Sequence, residues 1–197
     1  MAAGTFGAMA TTTYYTATTL DGWIADEENG LDWLFEVEHG EQGAGNPFPD
    51  FFAGVGAFVS GATTYRWLLE HEDLLAHPEK WQTFYGDVPC WVFTHRDDLP
   101  PVPGADITFV RGDVAPVHRA MAEAAGDRRI WLVGGGELAG AFADQGLLDE
   151  LVLGVAPVTL GAGAPLLPRR LTSSVLTLTS VEQRGQFAYL RYAVGRG

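Results

Sequence analysis

Apolar positions along this chain take two spacings in turn. Short continuous runs of apolar or β-branched residues, which favour strands, alternate with stretches whose apolar residues recur every three or four positions, which favour helices. Thr11–Leu20 (TTTYYTATTL) is β-branched and aromatic, closes on Asp21-Gly22, and predicts a first strand. Residues 21–49 hold glycines, acids and prolines with short apolar patches, and predict a long functional loop with a single helical turn. Phe51–Ser60 predicts a short helical piece and then a buried strand, Ala57–Ser60. Thr63 or Thr64 is placed to cap a helix carrying Tyr65, Leu68 and Leu69, and His77-Pro78 restarts a helix with Trp81, Phe84 and Tyr85.

Cys90–Thr94 and Asp106–Val110 read as strands, and Asp113 as the cap of a helix bearing Val117, Met121 and Ala124 before Gly126. A strand at Ile130–Val133, a glycine turn and a helix over 137–145 follow, then a strand at Glu150–Pro157. Ser174–Glu182 and Gln186–Val194 form a hairpin across Arg184-Gly185. Strands alternating with helices imply an α/β protein with a mainly parallel sheet covered on both faces, and the hairpin adds an antiparallel edge. The alternation is continuous, so one domain is expected over 11–197 behind a flexible N-terminus, 1–10.

Composition narrows the classes. A chain of 197 residues with 47% hydrophobic content can bury a sizeable core. The single cysteine, Cys90, allows no internal disulfide and no multi-cysteine metal site, and the histidines lack metal-ligand spacing, so no metal is expected. Met1–Ala10 lacks the basic start and apolar core of a leader, and no segment has the length to span a bilayer, which together predict a cytoplasmic, soluble protein. A formal charge of -13 opposes nucleic acid and anionic membranes as partners. It leaves room for one small anionic cofactor held by local groups.

Candidate chemistry gathers in four segments that a doubly wound sheet brings to the carboxyl ends of its strands: Asp21–Trp33, Gly61–Tyr65, Thr94–Arg96 and Gly134–Glu137. Gly134-Gly135-Gly136 joins a strand to a helix, where unpaired N–H groups favour an anion. Gly134-x-Gly136-x-x-Ala139 also fits a Rossmann fingerprint, but it comes late in the chain and no acidic residue stands ~20 positions on.

These segments resemble the dihydrofolate reductase superfamily, including the C-terminal reductase domain of the bacterial riboflavin deaminase–reductase. Asp21-Gly22-Trp23-Ile24-Ala25 is similar to the D-G-x-I-A signature, and Asn29–Trp33 to the end of the mobile active-site loop. Gly61-Ala62-Thr63-Thr64-Tyr65 resembles G-R-x-T-[WY], and Gly134-Gly135-Gly136-Glu137-Leu138 with Phe142 resembles the pyrophosphate-binding G-G-G-x-[LV]-x-x-x-F. Pro157–Leu166 resembles the P-x-x-L-G-x-G-x-P-L segment of the riboflavin-reductase-like branch. The resemblance implies a three-layer fold, NADPH as cofactor, and hydride transfer to a small heterocyclic or carbonyl metabolite. It implies cofactor contacts from Ile24, Ala25, Gly61, Thr63, Thr64, Thr94, His95, Arg96, Arg111 and Gly134–Leu138, with Arg96 the leading partner of a 2′-phosphate. It makes Trp33 a substrate contact and Asp50 the proton donor, with Asp21 and Asp32 as alternatives. It also implies a homodimer, which the apolar hairpin residues Leu176, Leu178, Phe187, Tyr189 and Tyr192 favour independently.

Several positions depart from the pattern. Ala62 stands where an arginine is usual, Val133 where many riboflavin-pathway reductases have a glutamate, and Gly154 where the folate enzymes have a threonine. Trp81–Pro89 lacks the arginine that would hold a folate tail. The alternatives are therefore the aminouracil phosphoribosyl reductase of riboflavin biosynthesis, then folate reduction, and outside enzymes a nucleotide-binding module without turnover.

Overall fold

Residues 10–37 and 46–196 are described by a computed structural model; the expected flexible segment 1–10 lies outside them apart from Ala10. In chain order the elements are β1 (Thr12–Thr19), β2 (Trp23–Ala25), α1 (Asp32–Phe35), α2 (Phe48–Phe52), β3 (Val55–Gly61), α3 (Ala62–His71), α4 (Glu79–Tyr85) and β4 (Cys90–Phe93). They continue with β5 (Ile107–Val110), α5 (Val114–Ala125), β6 (Arg129–Gly134), α6 (Gly136–Asp144), β7 (Glu150–Ala156), β8 (Ala164–Pro165), β9 (Leu176–Arg184) and β10 (Phe187–Val194).

Eight strands form one sheet in the order β5-β4-β3-β6-β1-β7-β10-β9. The first six run parallel, while β10 is antiparallel to both β7 and β9. Because successive strand residues face opposite sides, each central strand feeds two cores. Tyr14, Ala57, Val59, Ile130, Leu132, Leu151 and Leu153 meet Val117 and Met121 of α5 and Phe142 of α6. Tyr15, Phe58, Trp131 and Val152 meet Phe51 of α2, Tyr65 and Leu69 of α3 and Trp81 of α4. Burial on both sides is why these strands read as near-continuous apolar runs. The chain is therefore a three-layer α/β structure with a mostly parallel sheet and a C-terminal antiparallel hairpin. Among the described residues, no helix is long and apolar enough to cross a membrane.

Two local expectations need correction. Thr63 and Thr64 do not cap α3: the helix starts at Ala62, with Gly61 at the cap position and no side-chain cap. Asp113 does cap α5, accepting from the Ala115 N–H at 3.2 Å. The loop expected over 21–49 also contains β2, which pairs antiparallel with β8 through Trp23–Pro165 and Ala25–Ala164 to make a second, two-stranded sheet. A side chain on Gly163 would collide with the Ala25 carbonyl, so this pairing needs glycine there. Residues 38–45 of that loop lie outside the described residues.

Candidate cofactor and substrate cavities

A cavity of about 480 Å³ opens at the carboxyl edge of the sheet, between the starts of α3 and α6. Its floor is backbone: Gly61–Thr64 on one side and Gly135–Leu138 on the other. Ile24 and Ala25 of β2, Asn29 and Leu31 of the following turn, Trp67 of α3 and Phe93 of β4 close its walls. Neither bordering helix has a side-chain cap, since glycine occupies both cap positions, Gly61 and Gly135. The first N–H groups of each helix have no partner within the helix, so two positive helix ends face one space.

The three glycines of the turn have different reasons to be glycine. A Cβ on Gly136 would run into the carbonyl oxygens of Pro165 and Leu166, the latter at 2.6 Å, so its bareness serves packing. A Cβ on Gly135 would meet only Ile24 Cδ1 at 3.8 Å, an ordinary contact, so its bareness keeps the cavity open. Gly134 has φ +150°, a conformation that side chains disfavour, and the Gly134-Gly135 peptide is cis.

The walls are braced from a distance. Asp21 accepts from the Thr19 hydroxyl at 2.6 Å and from the N–H groups of Leu160 and Gly161 at 3.1 and 2.7 Å. The Thr19 hydroxyl, followed by those backbone donors, holds the Asp21 carboxyl below its usual range. Asp26 gathers the next turn, accepting from Gly30 N–H at 2.6 Å and Glu28 N–H at 3.0 Å, which sets Asn29 and Leu31 over the cavity. Glu137 would repel an anion, but its carboxylate accepts from Arg169 at 3.0 Å, and Arg169 also donates to Asp144 at 2.8 Å. One Arg169 cation serves two carboxylates, so it offsets part of the Glu137 charge at the cavity.

Beyond Phe93 lies a charged fringe. Thr94 is buried, its hydroxyl accepting from the Arg96 N–H at 2.9 Å, while His95 and Arg96 are exposed. Arg96 forks onto Asp98 with distances of 2.9 and 2.8 Å, and Arg111 pairs with Asp97. Neither these groups nor Gly134 line the cavity itself.

A smaller cavity of about 160 Å³ lies beside the middle of the sheet, lined by Tyr15, Thr16 and Ala17 of β1, by Leu34, Asn46 and Phe48, and by Gly154, Phe187 and Tyr189. Gly154 and Tyr189 are cross-strand partners. A Cβ on Gly154 would lie 3.1 Å from Tyr189 Cε1, so the tyrosine ring occupies the space a side chain would take. Burial pushes both tyrosine hydroxyls above their ordinary range, and the neighbouring Tyr189 adds to the rise at Tyr15. Asp50 is exposed on α2, Asp32 is exposed at the start of α1, and neither lines either cavity. Trp33 is buried against Val37, Ala156 and Phe187 and also lines neither.

The RibD C-terminal domain model matches residues 10–189. The chain belongs to the RibD C-terminal domain family. The Bacillus subtilis (strain 168) uncharacterized protein YwjB is 33% identical over 181 residues, covering 92% of this chain and 96% of its own. A putative riboflavin biosynthesis protein from Shewanella sp. PV-4 has the same fold, with TM-score 0.74 and 23% identity over 94% of this chain and 99% of that one. Dihydrofolate reductase from Enterococcus faecalis, complexed with NADP(H), superposes with TM-score 0.55 at 15% identity, over 94% and 97% of the two chains.

In this RibD C-terminal domain, sequence reasoning located the cavity floor but missed several of its walls and supports. Trp67 stands one helical turn after Thr63, and that spacing was a usable signal. Phe93 and Arg169 carry no local signal, because only the fold brings them to the two helix ends.

Proposed function

We propose that the chain is an NADPH-dependent reductase that transfers hydride to a small heterocyclic or carbonyl-containing metabolite, acting in the cytoplasm as a homodimer. The observation that carries this reading is the convergence of two uncapped helix N-termini on one cavity of about 480 Å³. The N–H groups at Ala62–Thr64 and Gly136–Leu138 suit a pyrophosphate, with the Thr63 and Thr64 hydroxyls beside them. Ile24, Ala25 and Leu31 supply an apolar cover that excludes water. When bound, NADPH supplies the hydride.

In this reading the second cavity, lined largely by aromatic side chains, holds the acceptor, and the proton source is sought in its lining. Reduction of C=N or C=O needs a proton at the heteroatom from a group that holds it at neutral pH. Among the described residues lining that cavity there is no carboxylate, and the ionisable groups are Tyr15 and Tyr189, phenols that carry their proton at neutral pH and whose burial makes them weaker acids still. Asp21 is shifted the wrong way for an acid, its ionised form being favoured by its donors. The proton donor in this reading is the Tyr189 hydroxyl, whose rise is offset in part by the Tyr15 hydrogen bond and the Arg184 charge, rather than Asp50, which lines neither cavity.

Within the enzyme class, the aminouracil reductase of riboflavin biosynthesis is the first alternative, on the resemblance of Pro157–Leu166 to that branch, although Val133 departs from the glutamate many of those reductases have. Folate reduction is disfavoured by Gly154, whose side-chain space Tyr189 fills. NADPH should raise the melting temperature, and a panel of pterins, aminouracils and carbonyl compounds should include one that drives its oxidation. With that compound, Tyr189→Phe should lower turnover by about 10²-fold, a typical loss for a general acid, while keeping the NADPH-induced shift. No shift with millimolar NADPH, where a control reductase responds, would end the reading; a shift without turnover would favour a binding module.

The dimer has its own test. Leu178 and Val181, on the strand that closes one edge of the sheet, are 51% and 61% exposed. Light scattering after size exclusion should give twice 21.2 kDa at tens of micromolar protein; one chain mass would exclude the dimer.

A further inference from the structure

Thr63, Trp67 and His71 recur at a spacing of four along α3 and so share one stripe of the helix. The stripe begins inside the larger cavity, which Thr63 and Trp67 line, and ends beyond it at His71. There the Trp67 and His71 rings stack, with centroids 4.3 Å apart and planes within 14°. Phe35, the last residue of α1, joins them: its ring lies 5.0 Å from His71 at 6° and 6.2 Å from Trp67 at 10°. Phe35 is 54% exposed, so burial alone does not account for its place. α1 itself is four residues long with no side-chain cap, and a single turn does not hold itself. Two side chains tie it down. Trp33 is buried on one side among Val37, Ala156 and Phe187, and Phe35 reaches α3 on the other. The segment they hold matters to both cavities, because Leu31, at the cap position of α1, lines the larger one and Leu34 lines the smaller.

We infer that Phe35 is a positioning residue of the cofactor cavity: its stack on His71 and Trp67 fixes α1 against α3 and so holds Leu31 and the Trp67 ring as walls. The inference rests on the reductase reading above and names a residue outside the cavity on which cofactor affinity depends. Phe35 lines neither cavity, so it acts through its neighbours. Planar stacking rather than apolar bulk carries the effect, because stacked rings hold a defined mutual orientation and contribute beyond the area they bury. Without the Phe35 ring, α1 keeps its Trp33 anchor but swings about it, and Trp67 loses part of the stack behind it. A ligand must then order these walls as it binds, and that ordering lowers affinity.

Calorimetric titration of the full chain with NADPH tests this in three variants. Phe35→Ala should bind about three- to tenfold more weakly than the parent, and Phe35→Tyr, which keeps a flat ring, should stay within about twofold of it. Phe35→Leu keeps apolar bulk without the ring and should lose as much as Phe35→Ala. Phe35 is exposed and outside the buried clusters, so the melting temperatures of the unliganded variants should stay close to the parent's, which checks the fold. A Phe35→Ala affinity within about twofold of the parent's, or Phe35→Leu and Phe35→Tyr that bind equally well, overturns the inference while leaving the reductase reading intact. So does Phe35→Tyr as weak as Phe35→Ala. A parent that binds no NADPH overturns both.

Discussion

Gly135→Asp should fold at least as well as the parent protein and lose its response to NADPH. Gly135 occupies the cap position of α6 with φ -85° and ψ -177°, a backbone that any residue adopts. Its Cβ would enter ordinary contact with Ile24, so there is room for the side chain. An aspartate there becomes a helix cap, accepting from the N–H groups of the first turn and leaving the unliganded protein unchanged or a few tenths of a kcal/mol more stable. Those are the donors a pyrophosphate would use, and the added charge repels the phosphates. In the parent, ligand at a hundred times its dissociation constant stabilises by about 2.7 kcal/mol, a melting shift of roughly 5–10 °C for a chain of this size. Differential scanning fluorimetry with and without NADPH would show the shift in the parent and none in the variant. A retained shift would remove the glycine turn from the cofactor site.

One residue further on, the same kind of change should have the opposite consequence. Gly136→Ala adds a single methyl group, which in a helix interior would stabilise by about 1 kcal/mol and at this first helical position by less. Here the methyl meets the carbonyl oxygens of Pro165 and Leu166. Those atoms belong to backbone held by the Leu166 N–H bond to Gly22 at 2.9 Å and by the Tyr14 hydroxyl bond to the Leu166 carbonyl at 3.1 Å, so they cannot turn aside as a side chain would. Overpacking against fixed backbone should outweigh the helix gain and destabilise by about 2–4 kcal/mol. Urea unfolding of parent and variant measures it; a midpoint at or above the parent's would mean that β8 yields without difficulty.

The two glycines mark where sequence reading succeeds and stops. The motif gave both the same expected role, and the strand–turn–helix around them was legible because buried parallel strands leave continuous apolar runs and Phe142 continues the helical spacing. Nothing local distinguishes a glycine bare for a ligand from one bare for a neighbouring chain segment, since Pro165 lies far along the sequence. The pairing of β2 with β8 was hidden for the same reason: strands of three and two residues carry no usable period. Tyr189 and Gly154 form a long-range complement, and the absent threonine at 154 was visible while the ring that replaces it was not. The arginine fringe is a different case. Asp97 and Asp98 follow Arg96 directly in the sequence, so carboxylates able to answer Arg96 and Arg111 were legible beside them.

The brace from Pro157 to Leu166 also orders events in time. The cavity-facing ends of α3 and α6 can form from residues 61–138, yet the cover over them stays unsecured until residues 163–166 come to lie against Gly22, Ala25 and Gly136. The cavity therefore cannot close before residues 163–166 have been made, and bringing such distant segments together is a slow kind of contact to form. On the reductase reading, capture of a dinucleotide would report completed folding rather than aid it, and a chain cut short before Leu166 would leave the cavity without its cover.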